Sequence, residues 1–372
     1  MRALLSSVLM LIAAGLSAGA ALPAGEPPAV PAQTAPVTGD KAEPRISPDG
    51  ARISYLAPVN GVLNVWVSPV GQPESAKPVT DDKKRGIHTY SWAFTNHHII
   101  YLQDKDADEN WHVCSVNIDS GVVRDLTPLK GVQARVQALS PVLPSEILVG
   151  LSKRDSKLYD IYRVNTETGQ GRLVFPNDSY AKVMADDQYR FRVGFRPDPQ
   201  GGLDVVELWP SPRPRPLFTL SPKDALKTHA VDFDKSGKRL YLLDSRGRST
   251  AELTALDLDT RQSTVLALDA HVDVGGVLLH PTEKTPQAYW TRGKPVKWYP
   301  LDPAVAKDLH LLRGVAKGDL AVVSRTLDDS AWIVSYDMGN SRVRYYLYDR
   351  KVGKTRPLFE SRHEPSAGGE QR

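Results

Sequence analysis

A turn followed by an apolar strand returns along this chain at a nearly constant spacing. "ISPDGARISYL" (46–56), "WAFTNHHIIYL" (92–102), "LSPVLPSEILVGL" (139–151), "FDKSGKRLYLL" (233–243) and "RTLDDSAWIVSY" (325–336) share this form. Their first strong strand residues are Ile53, Ile99, Ile147, Leu240 and Ile333, separated by 46, 48, 93 and 93 positions. Each of the last two gaps is about twice the first, so each conceals one further unit. "YRFRVGFR" near Phe191 and "PQAYWTR" near Ala288 fill them. The period therefore implies seven units, and a period of 40–50 residues marks a repeat architecture.

Each unit has the same interior. Strand-like runs "HIIYLQ", "NWHVCSVNI" and "VVRDLT" follow one another in the second unit, and "AWIVSYD", "RYYLYDR" and "TRPLFE" in the last. The connections "VNIDSG", "VNTETG" and "YDRKVG" read as polar hairpin turns. A short strand before each turn brings the count to four. One four-stranded sheet cannot bury both its faces, whereas a ring of sheets packed face to face can. The expected fold is all-β, a seven-bladed β-propeller of four-stranded antiparallel blades over 44–361, with 362–372 as a polar, disordered tail. A β-sandwich with extra strands explains the strand content but not the spacing. The 29 prolines, scattered along the chain, suit short strands and loops better than long helices.

The N-terminus reads as a targeting segment. Arg2 precedes the apolar run "ALLSSVLMLIAAGL", and Ala18-Gly19-Ala20 is a small-x-small cleavage site. Residues 1–20 are expected to be a signal peptide, and 21–43, rich in Ala and Pro, a disordered linker. The mature protein is then exported, periplasmic or secreted, with no membrane anchor after cleavage; an uncleaved anchor helix is the competing reading. A formal charge of +4, with no Lys/Arg run interleaved with aromatics, gives no nucleic-acid footprint. Cys114 is the only cysteine, so no internal disulfide forms. It reads as a small buried hydrophobe; a nucleophilic role would draw on His112 on the same strand face.

The search for catalytic chemistry ends without a catalytic residue, a metal set or a cofactor motif. The one G-x-S-x-G match, Gly15 to Gly19, falls in the signal peptide, and "GRSTA" (247–251) falls in a hairpin. A nucleophile elbow needs a strand before it and a helix after it. The most site-like stretch is "QDKDADENWH" (103–112), with Asp104, Asp106, Asp108, Glu109 and Asn110. Alternate oxygen ligands suit a calcium loop, but the loop glycine and the terminal glutamate of an EF-hand are missing. Two other readings stay open: an acidic rim for a cationic group such as a peptide N-terminus, and a solvated hairpin.

"RISPDGARISYLAPVNGVLNVWV", "YLQDKDADENWHV", "ILVGLSKRDSKLYDIYRVN", "LYLLDSRGRSTAELTALDLDT" and "VGGVLLHP" occur in this order. They resemble the N-terminal propeller of bacterial prolyl oligopeptidase-family serine peptidases, especially acylaminoacyl-peptidase- and dipeptidyl-peptidase-like members. The resemblance runs from about Pro44 to Glu360. In that family the propeller precedes an α/β-hydrolase domain carrying Ser, Asp and His, covers its active site and filters substrates by size. Nothing resembling that domain follows Glu360 here, so no family catalytic residue can be placed on this chain. The resemblance implies a non-catalytic, substrate-gating part of a peptidase, truncated or split from a separately encoded α/β-hydrolase. The alternative is a free-standing periplasmic propeller that binds a protein or peptide partner; a propeller lyase or glycosidase is a weaker third reading.

Overall fold

Turn chemistry sets the repeating hairpin. The carboxylate or amide of Asn117, Asn165, Asp257 and Asp349 accepts hydrogen bonds from backbone N–H groups two and three residues ahead. Such a side chain imitates a backbone turn. Four residues on, Gly121, Gly169, Arg261 and Gly353 take positive φ near 70°, which glycine adopts without strain and arginine does not. The computed structural model describes residues 41–362, except 105–108, 156 and 340. The signal-peptide, linker and tail readings therefore lie outside the described residues, apart from the last residues of the linker and Arg362.

Among the described residues the strands form seven antiparallel sheets, each built from consecutive strands. This is a seven-bladed β-propeller. The first blade comprises Ala42–Ile46, Arg52–Val59, Val62–Pro69 and Lys77–Pro78, and the last ends with Lys354–Arg362. The register shows the repeat directly. The residue opposite the end of each first strand is Ile53, Ile99, Ile147, Phe191, Leu240, Pro286 and Trp332 in turn. The two concealed units are thus real blades, and the spacing stays within a few residues of 46. Six sheets have four strands. The sixth has three, and the helix Pro303–Leu312 follows where the others continue with an outer strand. Asp302 accepts a hydrogen bond from the Ala304 N–H at its start (2.8 Å), and Pro303 suits a helix's first turn.

The second strands are nearly continuous apolar runs because neighbouring blades cover both their faces. In His98–Gln103, Ile99 and Tyr101 pack against the first blade, while Ile100 and Leu102 pack against the third. In Arg239–Asp244, Leu240 and Leu242 face the fourth blade, and Tyr241 and Leu243 face the sixth. Successive side chains of a strand point to opposite faces, so each strand serves two cores. Each fully buried large side chain contributes roughly 1.5–3 kcal/mol. The outer strands Val123–Asp125, Gly171–Phe175 and Ser263–Ala267 are short and largely exposed, as sheet edges usually are.

The blades group into two compact units. One holds the fourth to sixth blades, within Phe175–Ala306, and the other the first three and the last. In the latter, the last blade packs on the first without sharing a sheet. Ser324 Oγ accepts from Ile46 N–H (3.1 Å), Leu327 N–H donates to Pro48 O (2.7 Å), and Ser361 Oγ donates to Lys41 O. The strand starting at Ala42 lies slightly upstream of the expected limit at 44, and its backbone takes part in this closure.

Candidate functional site

Asp104 follows directly on the second strand of blade 2, His98–Gln103, and its side chain is 0 % exposed. A carboxylate cannot stay charged in such a place without a partner. Arg85 Nε lies 3.2 Å from its Oδ2, and the Glu109 backbone N–H donates to the same oxygen at 3.3 Å. Glu109 itself has positive φ and a side chain 79 % exposed. Its Oε1 stands 4.0 Å from Arg85 Nη1, beyond hydrogen-bond reach. Arg85 is 41 % exposed at its side chain. A guanidinium and a carboxylate therefore stand side by side at the surface, with Asp104 beneath holding the first.

The loop carrying Arg85 is pinned to the third strand of blade 1, Val62–Pro69. Asn64 Oδ1 accepts from Thr80 Oγ1 (2.8 Å) and Asp82 N–H (2.7 Å), and its Nδ2 donates to Asp82 O (3.0 Å). Asp82 Oδ1 accepts from the Lys84 and Gly86 N–H groups at 2.8 and 3.0 Å, and Ile87 N–H donates to Leu63 O. Gly86, with φ +80°, sits against Leu63, where a Cβ would come 3.1 Å from the backbone nitrogen. Gln103 Nε2 donates to Asp82 Oδ2 (2.8 Å), tying the loop to the strand that delivers Asp104. Burial raises the Asp82 pKa, but the Gln103 donor and the N–H groups of Lys84, Gly86 and Arg85 outweigh it and hold the carboxyl below its usual range.

Of the five residues read as site-like, Asp104 and Glu109 come together here, at Arg85. Asn110 is half-buried, next to Trp111, whose indole packs on the core between blades 2 and 3. Asp106 and Asp108 lie outside the described residues. Among the described residues no group of three or more His, Cys, Asp or Glu is placed to hold a metal ion. His112 Nδ1 pairs with Asp125 Oδ2 at 2.8 Å. The Cys114 sulfur is buried, 3.9 Å from Gln103 Oε1. "GRSTA" lies between the strands Arg239–Asp244 and Glu252–Asp257, a hairpin as expected. Arg85, Asp82 and Gln103 escaped the sequence reading; the signal available was "DDKKRG", a charged run closed by a glycine.

The chain is 38% identical over 324 residues to "Dipeptidyl aminopeptidase BIII" of Pseudoxanthomonas mexicana, an alignment that covers 87% of this chain and 47% of that protein. It is 26% identical over 339 residues to "Dipeptidyl peptidase family member 6" of Caenorhabditis elegans, covering 85% of this chain and 45% of the other. A solved prolyl endopeptidase structure superposes with TM-score 0.58 over 89% of this chain and 51% of its own, at 11% identity, a likeness of fold. The chain is a propeller of the prolyl oligopeptidase family. No family model matches it. This prolyl oligopeptidase-family propeller spans about half the length of the curated relatives it matches.

Proposed function

We propose that this propeller admits peptides to a prolyl oligopeptidase-type active site and holds their free amino ends, without cleaving them itself. The observation that carries this reading is the alignment with the Pseudoxanthomonas aminopeptidase, which takes up most of this chain and less than half of the relative. Both curated relatives are named as dipeptidyl peptidases, and the ligand class carried over is a peptide with a free amino end. Glu109 and Arg85 suit that end chemically. The exposed carboxylate pairs with the ammonium, and the neighbouring guanidinium donates to the first peptide carbonyl. The buried Asp104 keeps Arg85 in position.

We place the α/β-hydrolase domain of such a peptidase on a partner chain or in sequence beyond this one. The purified chain is then silent toward a fluorophosphonate probe and toward peptide substrates, and cleavage arises when an α/β-hydrolase encoded beside it is added. Fluorophosphonate labelling of this chain alone overturns the reading. The exposed Glu109 also favours a second reading, a free-standing propeller that binds peptides. Retention of peptides, with no gain of cleavage from the added hydrolase, selects it. We further propose export, supported by Arg2, the apolar run after it and the small residues Ala18 and Ala20. Mass spectrometry of the periplasmic fraction should find an N-terminus near Ala21; an intact Met1 there contradicts cleavage.

A further inference from the structure

In the unit that holds blades 4 to 6, two cationic side chains and a histidine gather at one end of the sheets. First strands of successive propeller blades run in the same direction, so their first residues share an end. Lys182 opens Lys182–Ala185, His229 opens His229–Phe233, and Val274 opens Val274–Leu279. Arg292 joins them. Val274 pairs with Thr291, and the Arg292 N–H donates to Asp273 O at 2.9 Å. Gly275 leaves room for its side chain over the first strand. A Cβ on Gly275 would stand 2.7 Å from Arg292 Cγ and 1.9 Å from the Trp290 ring, so both side chains lie across the first strand.

Three carboxylates of these blades have cationic partners of their own. Asp273 pairs with Lys227 at 3.2 Å, Asp204 with Arg196 at 3.0 Å, and Glu252 with Arg248 at 3.2 Å. Neither the His229 ring nor the Arg292 guanidinium makes a hydrogen bond or ion pair with a described residue. Lys182 Nζ lies 5.9 Å from the Phe195 ring centre. The His229 side chain is exposed, near the charges of Lys182 and Arg292. Burial first, then the charges of Lys182 and Arg292, push its pKa down to about 4. The ring is therefore neutral at pH 7, between two fixed positive charges.

We propose that this cluster binds the carboxylate of a peptide, with Arg292 forking onto its two oxygens, Lys182 supplying a second charge and His229 a hydrogen bond. This rests on the reading that the propeller admits peptides. A bound carboxylate favours the protonated ring, and by linkage each promotes the other. The test follows the His229 ring protons by NMR across pH in the full chain. The probes are acetate, inorganic phosphate, a neutral peptide with a free C-terminus, its amide, and an amidated peptide bearing one glutamate. At least one carboxylate peptide should raise the proton affinity of the ring about tenfold, within the usual range of such couplings. The arm that responds tells a terminal from a side-chain carboxylate.

Arg292→Ala should abolish the response and Glu109→Gln should leave it intact. Gly275→Ala, which displaces Arg292 and Trp290, should weaken it. Peptide binding with an unmoved His229 overturns this site and leaves the peptide reading standing. A ring moved by phosphate but by no carboxylate overturns the named occupant. Acetate moving the ring while no peptide binds anywhere overturns the peptide reading, and the occupant with it.

Discussion

Two ion clusters in the same compact unit use the same residue types to different ends. In blade 7, Asp329 Oδ1 accepts from Trp332 Nε1 (2.7 Å) and pairs with Arg325 (3.1 Å), and its Oδ2 pairs with Arg350 at 2.6 Å. Arg350 also holds Asp308 at 2.7 Å, and Tyr348 Oη donates to Asp308 at 2.8 Å. Two guanidiniums thus meet two carboxylates, and all four side chains are largely shielded from water. Burial first, with the Arg350 charge added to it, pulls the Arg325 pKa down to about 10, with Asp329 opposing. Around Arg85, among the described residues, one guanidinium stands beside two carboxylates, one sealed and one exposed. The buried set ties the last blade to the helix Pro303–Leu312, whereas the set around Arg85 includes an exposed carboxylate, Glu109.

Breaking the buried cluster should produce the largest effect. Asp329→Ala removes a buried partner of both Arg325 and Arg350, and urea unfolding should show a loss of about 3–5 kcal/mol. A loss under 1 kcal/mol would remove the contrast. A core truncation gives a scale for it: Ile99→Ala, between blades 1 and 2, should cost about 2–5 kcal/mol in the same assay. Asp104→Asn should cost less, about 1–3 kcal/mol, because Arg85 can turn to water. It should also weaken binding of amine-bearing peptides through the misplaced guanidinium.

The acid limb of stability sharpens the comparison further. The Asp82 pKa is depressed in the folded state, so its contribution is present above the unfolded value near 4 and lost as pH falls through the folded value. Asp82→Asn should lower stability at pH 7 and flatten the decline below pH 4 in pH-dependent urea melts. Glu109→Gln should have the smallest effect on stability, within about 0.5 kcal/mol for an exposed position.

Much of the fold was legible because a sandwiched second strand must be apolar on both faces. The strand residues Ile53, Ile99, Ile147, Leu240 and Ile333 are all buried. The two concealed blades were fainter for local reasons. In blade 4, Arg192 sits near the start of the second strand, buried beside Asp186 at 3.7 Å, and in blade 6 Pro286 opens that strand. The sixth blade's helix was not anticipated, because the scattered prolines argued against helices and Pro303 instead begins one. The acidic stretch after Gln103 was legible as a site candidate. Its pairing was not, because Arg85 arrives on a loop of the preceding blade. The cluster at Arg292 needed even more of the fold, since the pairing across Gly275 brings that side chain over the first strand.

The central claim is that the exposed Glu109 carboxylate, backed by Arg85, receives the amino end of a peptide. Calorimetric titration of the full chain with one peptide, free or N-acetylated, tests it directly. The free form should bind about tenfold more tightly than the acetylated one, as one charge-assisted hydrogen bond is worth about 1.5 kcal/mol. Glu109→Gln should erase that difference. Equal affinity of the two peptides for the unsubstituted chain would contradict the claim.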